Sequence, residues 1–289
     1  MKINYRPDID GLRAIAVISV IFYHAEQSIK NFKVLPGGFV GVDIFFVISG
    51  YLITSIIFKE LQLTKKFSFT NFYIRRIKRI LPVFLVVFIT TFPFIWLFFI
   101  PVSFIDYSKS LFSSLFFVSN YFFYFSGELY DAENSLLKPL MHTWSLSIEE
   151  QFYIIFPLLL LFCFYYFRKN LSKIFFLILC ISFFSMIFIF QKNESFAFFS
   201  FFSRFWELMS GSLLAILSYN KKKKYKLSNN VYSFVGLIFL CFSIFFFNND
   251  TNFPYYSTLI PVIGTCLIIY FNNKKNLIYK ILSMKFLVY

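Results

Sequence analysis

The sequence is poor in the residues that usually carry chemistry. Its 289 positions hold two histidines, four cysteines and 14 acids, against 28 lysines and arginines. Cys163, Cys180, Cys241 and Cys266 are scattered singly through apolar runs with no C-x-x-C or Cys/His spacing, so they imply neither a disulfide framework nor a metal site and read as core fillers. No Walker or dinucleotide-type glycine-rich fingerprint is present, which argues against nucleotide hydrolysis. No small-x-small cleavage site follows the first apolar run, so that run is expected to be retained and not removed as a signal peptide. No internal repeat or pair of broken helices of the kind many transporters use is visible.

What the chain has is apolar and aromatic surface. Apolar residues make up 58% of it and aromatics 24%, and the apolar residues come in blocks and not in stripes. Blocks of about 20 residues are the length a bilayer asks of a helix. Barrel strands would be about 10 residues long and alternating. The reading is all-α, a polytopic transmembrane helix bundle of about eight to nine spans in a lipid bilayer. Candidate spans are 12–29, 38–58, 80–100, 147–167, 174–191, 196–219, 231–247 and 256–271, with an ambiguous aromatic segment at 107–125.

A net charge of +14 would suit nucleic acid in a soluble chain, but in a polytopic one the placement of the basic residues matters, and no nucleic-acid partner is expected. Lys59, Lys65, Lys66, Arg75, Arg76, Lys78 and Arg79 precede the third span. Later clusters are Arg168/Lys169/Lys173, Lys221–Lys224 with Lys226, and Lys274/Lys275/Lys280, while the intervening connections carry Glu128, Asp131, Glu133 and Asp250. All basic loops reach the cytoplasmic face only if 80–125 crosses once or an odd number of times, which makes 107–125 interfacial or re-entrant and the N-terminus cytoplasmic; the alternative is a ninth full span, which puts the 168–173 cluster outside.

An ionisable group within an apolar run is a functional-site candidate. His24 lies near the end of the run from Ala14 to Ala25. On one helix Arg13 shares its face about 16 Å away, with Asp10 near the same stripe. Asp43, the Glu149/Glu150 pair, Arg204 and Glu207 stand at the starts or interiors of later spans. Charges there cost several kcal/mol unless paired or wetted, so these groups are expected to converge on a polar interior, although Arg204 and Glu207 can also simply pair one turn apart. Glycines 37, 38, 41 and 50 permit close approach around Asp43. Arg75, Arg76 and Arg79 suit bidentate phosphate recognition, or else mark a cytoplasmic membrane edge. His142 sits in the presumed outer loop before a span, where Trp144 would lie at the interface.

These residues fall in strings. Y-R-P-D-I-D-G-L-R-A-I-A-V from Tyr5, F-Y-H-A from Phe22, G-G-F-V-G-V-D-I-F-F-V-I-S-G-Y-L-I-T from Gly37, F-Y-I-R-R-I-K-R-I-L-P from Phe72, H-T-W-S-L-S-I-E-E-Q-F-Y-I-I-F-P from His142 and S-R-F-W-E-L-M-S-G-S-L-L-A from Ser203 follow one another in order. Together they resemble the membrane-bound acyltransferase 3 family across the chain from Tyr5 onward. The resemblance implies an enzyme of the bacterial inner membrane that moves an acyl group, usually acetyl, from cytoplasmic acyl-CoA to a hydroxyl of an envelope glycan or lipid-linked sugar. It implies a catalytic role for His24 with Arg13 beside it, a CoA-side role for Arg76 to Arg79, and correspondence of the family's acids to Glu149 and Glu150. Members usually continue with further helices, and near relatives often add an extracytoplasmic SGNH domain. The chain stops at Tyr289, so the expectation is an acyltransferase 3 membrane domain over 1–289 without its last helices and without that SGNH domain.

On this reading Arg75, Arg76 and Arg79 hold CoA phosphates, pantetheine reaches into the bundle, and neutral His24 takes the acceptor hydroxyl's proton. Asp10, Glu149 or Glu150 would orient the imidazole; a transient acyl-histidine or a tyrosine relay stays open. The competing classes are a transporter or flippase of envelope intermediates, whose pathway the same charges would line, and an inactive fragment.

Overall fold

The computed structural model describes residues 5–25, 28–29, 32–127, 138–220 and 228–288. The acidic residues Glu128, Asp131 and Glu133 and the lysines 221–224 and 226 lie outside them. The described chain is mostly helical and holds one two-strand antiparallel pair, Ser28–Ile29 with Phe32–Lys33. Four helices are long and apolar enough to cross a membrane: α2 (Gly41–Thr64, prolonged at its start by a 3-10 turn, Gly38–Val40), α3 (Phe69–Phe98), α6 (Thr143–Tyr166) and α7 (Leu171–Lys192). Helices α1 (Pro7–His24) and α9 (Phe201–Asn220) carry more polar residues, and α10 (Ser228–Phe246) and α11 (Leu259–Phe271) are shorter apolar helices.

Several expected boundaries move, among them the end of the second span, which runs to Thr64 and not 58. The first helix starts at Pro7, whose fixed φ suits a first turn, and it ends at His24, not at 29. The third starts at Phe69, eleven residues before the expected span, because the Ser68 side chain accepts from the Asn71 N–H and the basic stretch is itself helical. Arg75, Arg76, Lys78 and Arg79 are therefore helix residues and not loop residues. The expected span at 196–219 is two helices, α8 (Glu194–Phe199) and α9, divided at Ser200, whose backbone is extended. The ambiguous segment is also broken, into α4 (Pro101–Leu115) and α5 (Ser119–Gly127), with Phe117 at φ 57° between them.

The chain divides into two compact units. One holds residues 1–58 and 155–289. Its core packs Leu12 and Ala16 of α1, Ile44 and Val47 of α2, Trp206 of α9 and Val262 of α11. Helices α2 and α9 meet almost backbone to backbone: a Cβ at Gly50 would stand 1.9 Å from the Leu208 carbonyl oxygen, and one at Gly211 would stand 1.9 Å from that of Val47. The start of α1 is locked to the end of α11. Arg6 donates to both carboxylate oxygens of Asp8 at 2.9 and 2.6 Å and to the Ile269 carbonyl at 3.2 Å, and Asn272 Nδ2 donates to Asp8 at 3.1 Å. Burial works against the Arg6 charge, but the bonds to Asp8 outweigh it and hold the guanidinium protonated.

The other unit spans residues 59–154. Nearly all the apolar surface of α3 faces outward, as on a lipid-facing helix. A buried hydroxyl network ties α4 and α5 to the start of α6: Ser114 and Thr143 oxygens are 2.7 Å apart, Ser119 and Ser147 oxygens 2.7 Å. Gln151 Nε2 donates to the Phe117 carbonyl at 2.7 Å and to Asn120 Oδ1 at 2.9 Å. Those bonds satisfy polar groups that lipid could not.

Candidate functional site

Along α1, Asp10 and Arg13 are one turn apart and paired, Arg13 Nη1 to Asp10 Oδ1 at 3.2 Å. His24 is the last helical residue and is exposed, with its ring edge-on to Tyr23 at 5.2 Å between centroids. Between Arg13 and His24 the same side of the helix shows Val17 and Ile21, 42% and 58% exposed, so an uncovered stripe joins the guanidinium to the imidazole. Eleven residues of helix separate the two by about 16 Å, so Arg13 is not beside His24 in any contact sense. Asp10 is about 21 Å down the same rod and cannot orient the imidazole, which corrects that expectation. Nor is His24 an imidazole sunk within a span; the helix ends on it.

Of the charges expected to converge, Asp43, Arg204 and Glu207 meet within the first unit, whereas Glu149 and Glu150 belong to the second. Arg204 Nη2 donates to Asp43 Oδ1 at 2.8 Å, and Arg204 Nη1 lies 3.2 Å from Glu207 Oε1. All three side chains are fully buried. Arg204 therefore pairs with Glu207 and with Asp43 as well, across 161 residues of sequence. Rings surround it: the guanidinium carbon stands 5.5, 5.9 and 5.2 Å from the Phe46, Phe198 and Phe253 centroids.

In the second unit the arginines divide. Arg75, Lys78 and Arg79 are exposed, whereas Arg76 is half-buried against α6, 5.7 Å from the Phe72 centroid and 6.0 Å from that of Tyr153. Tyr73 anchors the contact, its hydroxyl donating to the Tyr153 carbonyl at 3.4 Å. Tyr153 is near the middle of the 24-residue α6, so the Arg76 guanidinium packs beside the body of that helix. Glu150 is buried within electrostatic reach of Arg76 and Arg79, and its Oε1 has no hydrogen-bond partner among the described residues. Glu149 accepts from the Tyr153 hydroxyl at 3.2 Å. His142 is exposed in the turn before α6, its carbonyl accepting from Ser145, and Trp144, at the start of α6, is buried. Tyr73 and Tyr153 were missed as site residues; the signal for the second was its place one turn after Glu149 and Glu150.

A family model described as an acyltransferase domain matches residues 6–287. The chain belongs to that family. Among curated proteins, this acyltransferase domain is 39% identical over 219 residues to the O-acetyltransferase OatA of Staphylococcus aureus strain NCTC 8325, an overlap of 74% of this chain and 35% of the relative. It is 37% identical over 267 residues to a putative O-acetyltransferase of Staphylococcus aureus strain MSSA476, 88% of this chain and 42% of that one. The acyltransferase domain thus spans well under half the length of these relatives. No solved structure matches it.

Proposed function

We propose that the chain is the membrane domain of an O-acetyltransferase. It takes acetyl from acetyl-CoA at the cytoplasmic face of a bacterial inner membrane and passes it to a hydroxyl of an envelope glycan. The names of the relatives favour acetyl, and the basic loops favour a cytoplasmic N-terminus. One observation carries the reading: α1 presents Arg13, two apolar residues and His24 along one uncovered stripe, a length that an extended pantetheine arm covers.

His24 takes the proton of the acceptor hydroxyl as its oxygen attacks the thioester carbonyl. The carbon–sulfur bond breaks, the ester forms, and the departing thiolate recovers the proton as the thiol of CoA. Arg75, Arg76 and Arg79 hold phosphate groups by charge-assisted hydrogen bonds, with Arg76 braced on Phe72 and Tyr153.

The test is acetyl-CoA turnover by the purified full chain. His24→Ala is expected to lose about 10²–10⁴-fold in transfer, the usual worth of a positioned base. Parental turnover in a correctly inserted His24→Ala protein overturns the reading.

A further inference from the structure

We propose that Arg204 is a positioning residue for His24, acting through a chain of aromatic rings; the proposal rests on His24 being the reacting base. From the guanidinium the chain runs to Phe253 at 5.2 Å, from Phe253 to Phe39 at 4.7 Å, from Phe39 to Tyr23 at 5.4 Å and from Tyr23 to His24 at 5.2 Å. The three ring–ring contacts from Phe253 to His24 are edge-to-face, the arrangement in which one ring fixes its neighbour's tilt.

Each link is held by backbone as well. Phe39 belongs to the 3-10 turn Gly38–Val40, which presses on the end of α1 so closely that a Cβ at Gly38 would stand 2.1 Å from the Ser19 carbonyl oxygen. Gly37 N–H donates to the Ile244 carbonyl at 3.0 Å, and Phe39 and Phe253 both pack on the small core of Val40, Ile244 and Phe247. Tyr23 is tied from the far side, its hydroxyl donating to Asn249 Oδ1 at 3.0 Å. The imidazole has no comparable anchor of its own among the described residues: it is exposed, and its ring contact is with Tyr23.

Arg204 sits at the buried end of this chain, tied to Asp43 on α2 and to Glu207 on α9. Beside the two ion pairs, Arg204 Nε and Trp206 Nε1 remain without a hydrogen-bond partner among the described residues. A cluster whose only purpose was to join two helices would be cheaper as packed apolar side chains. Its planar fork, set among three rings, is the part that a lysine cannot reproduce.

The experiment compares the parent with Arg204→Lys, Phe253→Leu and the double variant, each purified from membranes as the full chain. His24 reactivity is read as the rate of carbethoxylation by diethyl pyrocarbonate, followed by mass spectrometry on the peptide that holds it. Arg204→Lys and Phe253→Leu are each expected to change that rate severalfold and to lower kcat about 10²-fold, as misplacement by an ångström does, with KM for acetyl-CoA unchanged. The double variant is expected to be no worse than the more affected single one, because both cut the same chain.

Parental carbethoxylation rates in the single variants, or effects that multiply, overturn the proposal. If Arg204→Lys does not accumulate, Phe253→Leu decides alone, because its apolar replacement keeps the ion cluster intact. The carbethoxylation rate needs no turnover, so failure of His24→Ala to lose activity would sink the catalytic reading without being confused with failure of the ring chain.

Discussion

Arg204 and Arg76 are both arginines on apolar helices, yet their surroundings are opposite. Arg204 is sealed: it has no exposed surface, two acids within ion-pair distance and rings on several sides. Arg76 is half-open: two aromatic rings support it, no ion pair engages it among the described residues, and Arg75, Lys78 and Arg79 stand exposed on the neighbouring turns. A charge in an apolar setting that already has its counter-charges is closed to an incoming anion, whereas one braced by rings and outside any ion pair among the described residues is open to one. The same residue type is thus sealed into a cluster in one unit and left half-open in the other.

The largest expected effect tests the sealed side. Arg204→Met leaves Asp43 and Glu207 buried without a counter-charge and should destabilise the protein by about 3–5 kcal/mol, read as a fall in the thermal midpoint of detergent-extracted protein. A midpoint within a degree of the parent would show that the cluster holds nothing together. Next, Arg76→Ala should weaken acetyl-CoA binding by about 1.5–3 kcal/mol, the worth of hydrogen bonds to a charged group, while the thermal midpoint barely moves. Isothermal titration in low and high salt checks it, and equal affinity for parent and variant would remove Arg76 from the donor site.

Two glycines sharpen the same contrast without touching charge. Gly50→Ala drives a methyl into the Leu208 carbonyl and should cost about 1–3 kcal/mol by overpacking. Gly127, the last residue of α5, has nothing within 4 Å of the point its added methyl would occupy, so Gly127→Ala should raise stability slightly, by about 0.5–1 kcal/mol. Chemical denaturation of the two variants side by side would expose a reversal of that order.

Helix content was legible because lipid leaves the backbone few options: runs near 20 apolar residues have to be helices. Boundaries were less so, because charge was read as the edge of a helix. The stretch Phe69–Ile80 is basic and helical at once, and nothing in hydropathy separates those properties. Buried-charge cost correctly brought Asp43, Arg204 and Glu207 together. It could not name partners, since a one-turn pair and a contact across 161 residues relieve the same cost. The division of the basic cluster was likewise hidden: a helical wheel assigns Arg76 and Arg79 to faces, but Tyr153 decides which face is inward. The lock of Arg6 and Asp8 on Asn272 escaped notice, although the R-x-D spacing around a helix-starting proline was its local trace.

That lock also orders events during synthesis. Arg6 and Asp8 leave the ribosome first, yet their partners at Ile269 and Asn272 follow more than 260 residues later. The far end of α1 can pack on the Gly38–Val40 turn as soon as that turn emerges, but the end that holds Asp8 can be fastened to Ile269 and Asn272 only once α11 has arrived. Throughout most of translation, the nascent protein carries this helix held at one end only.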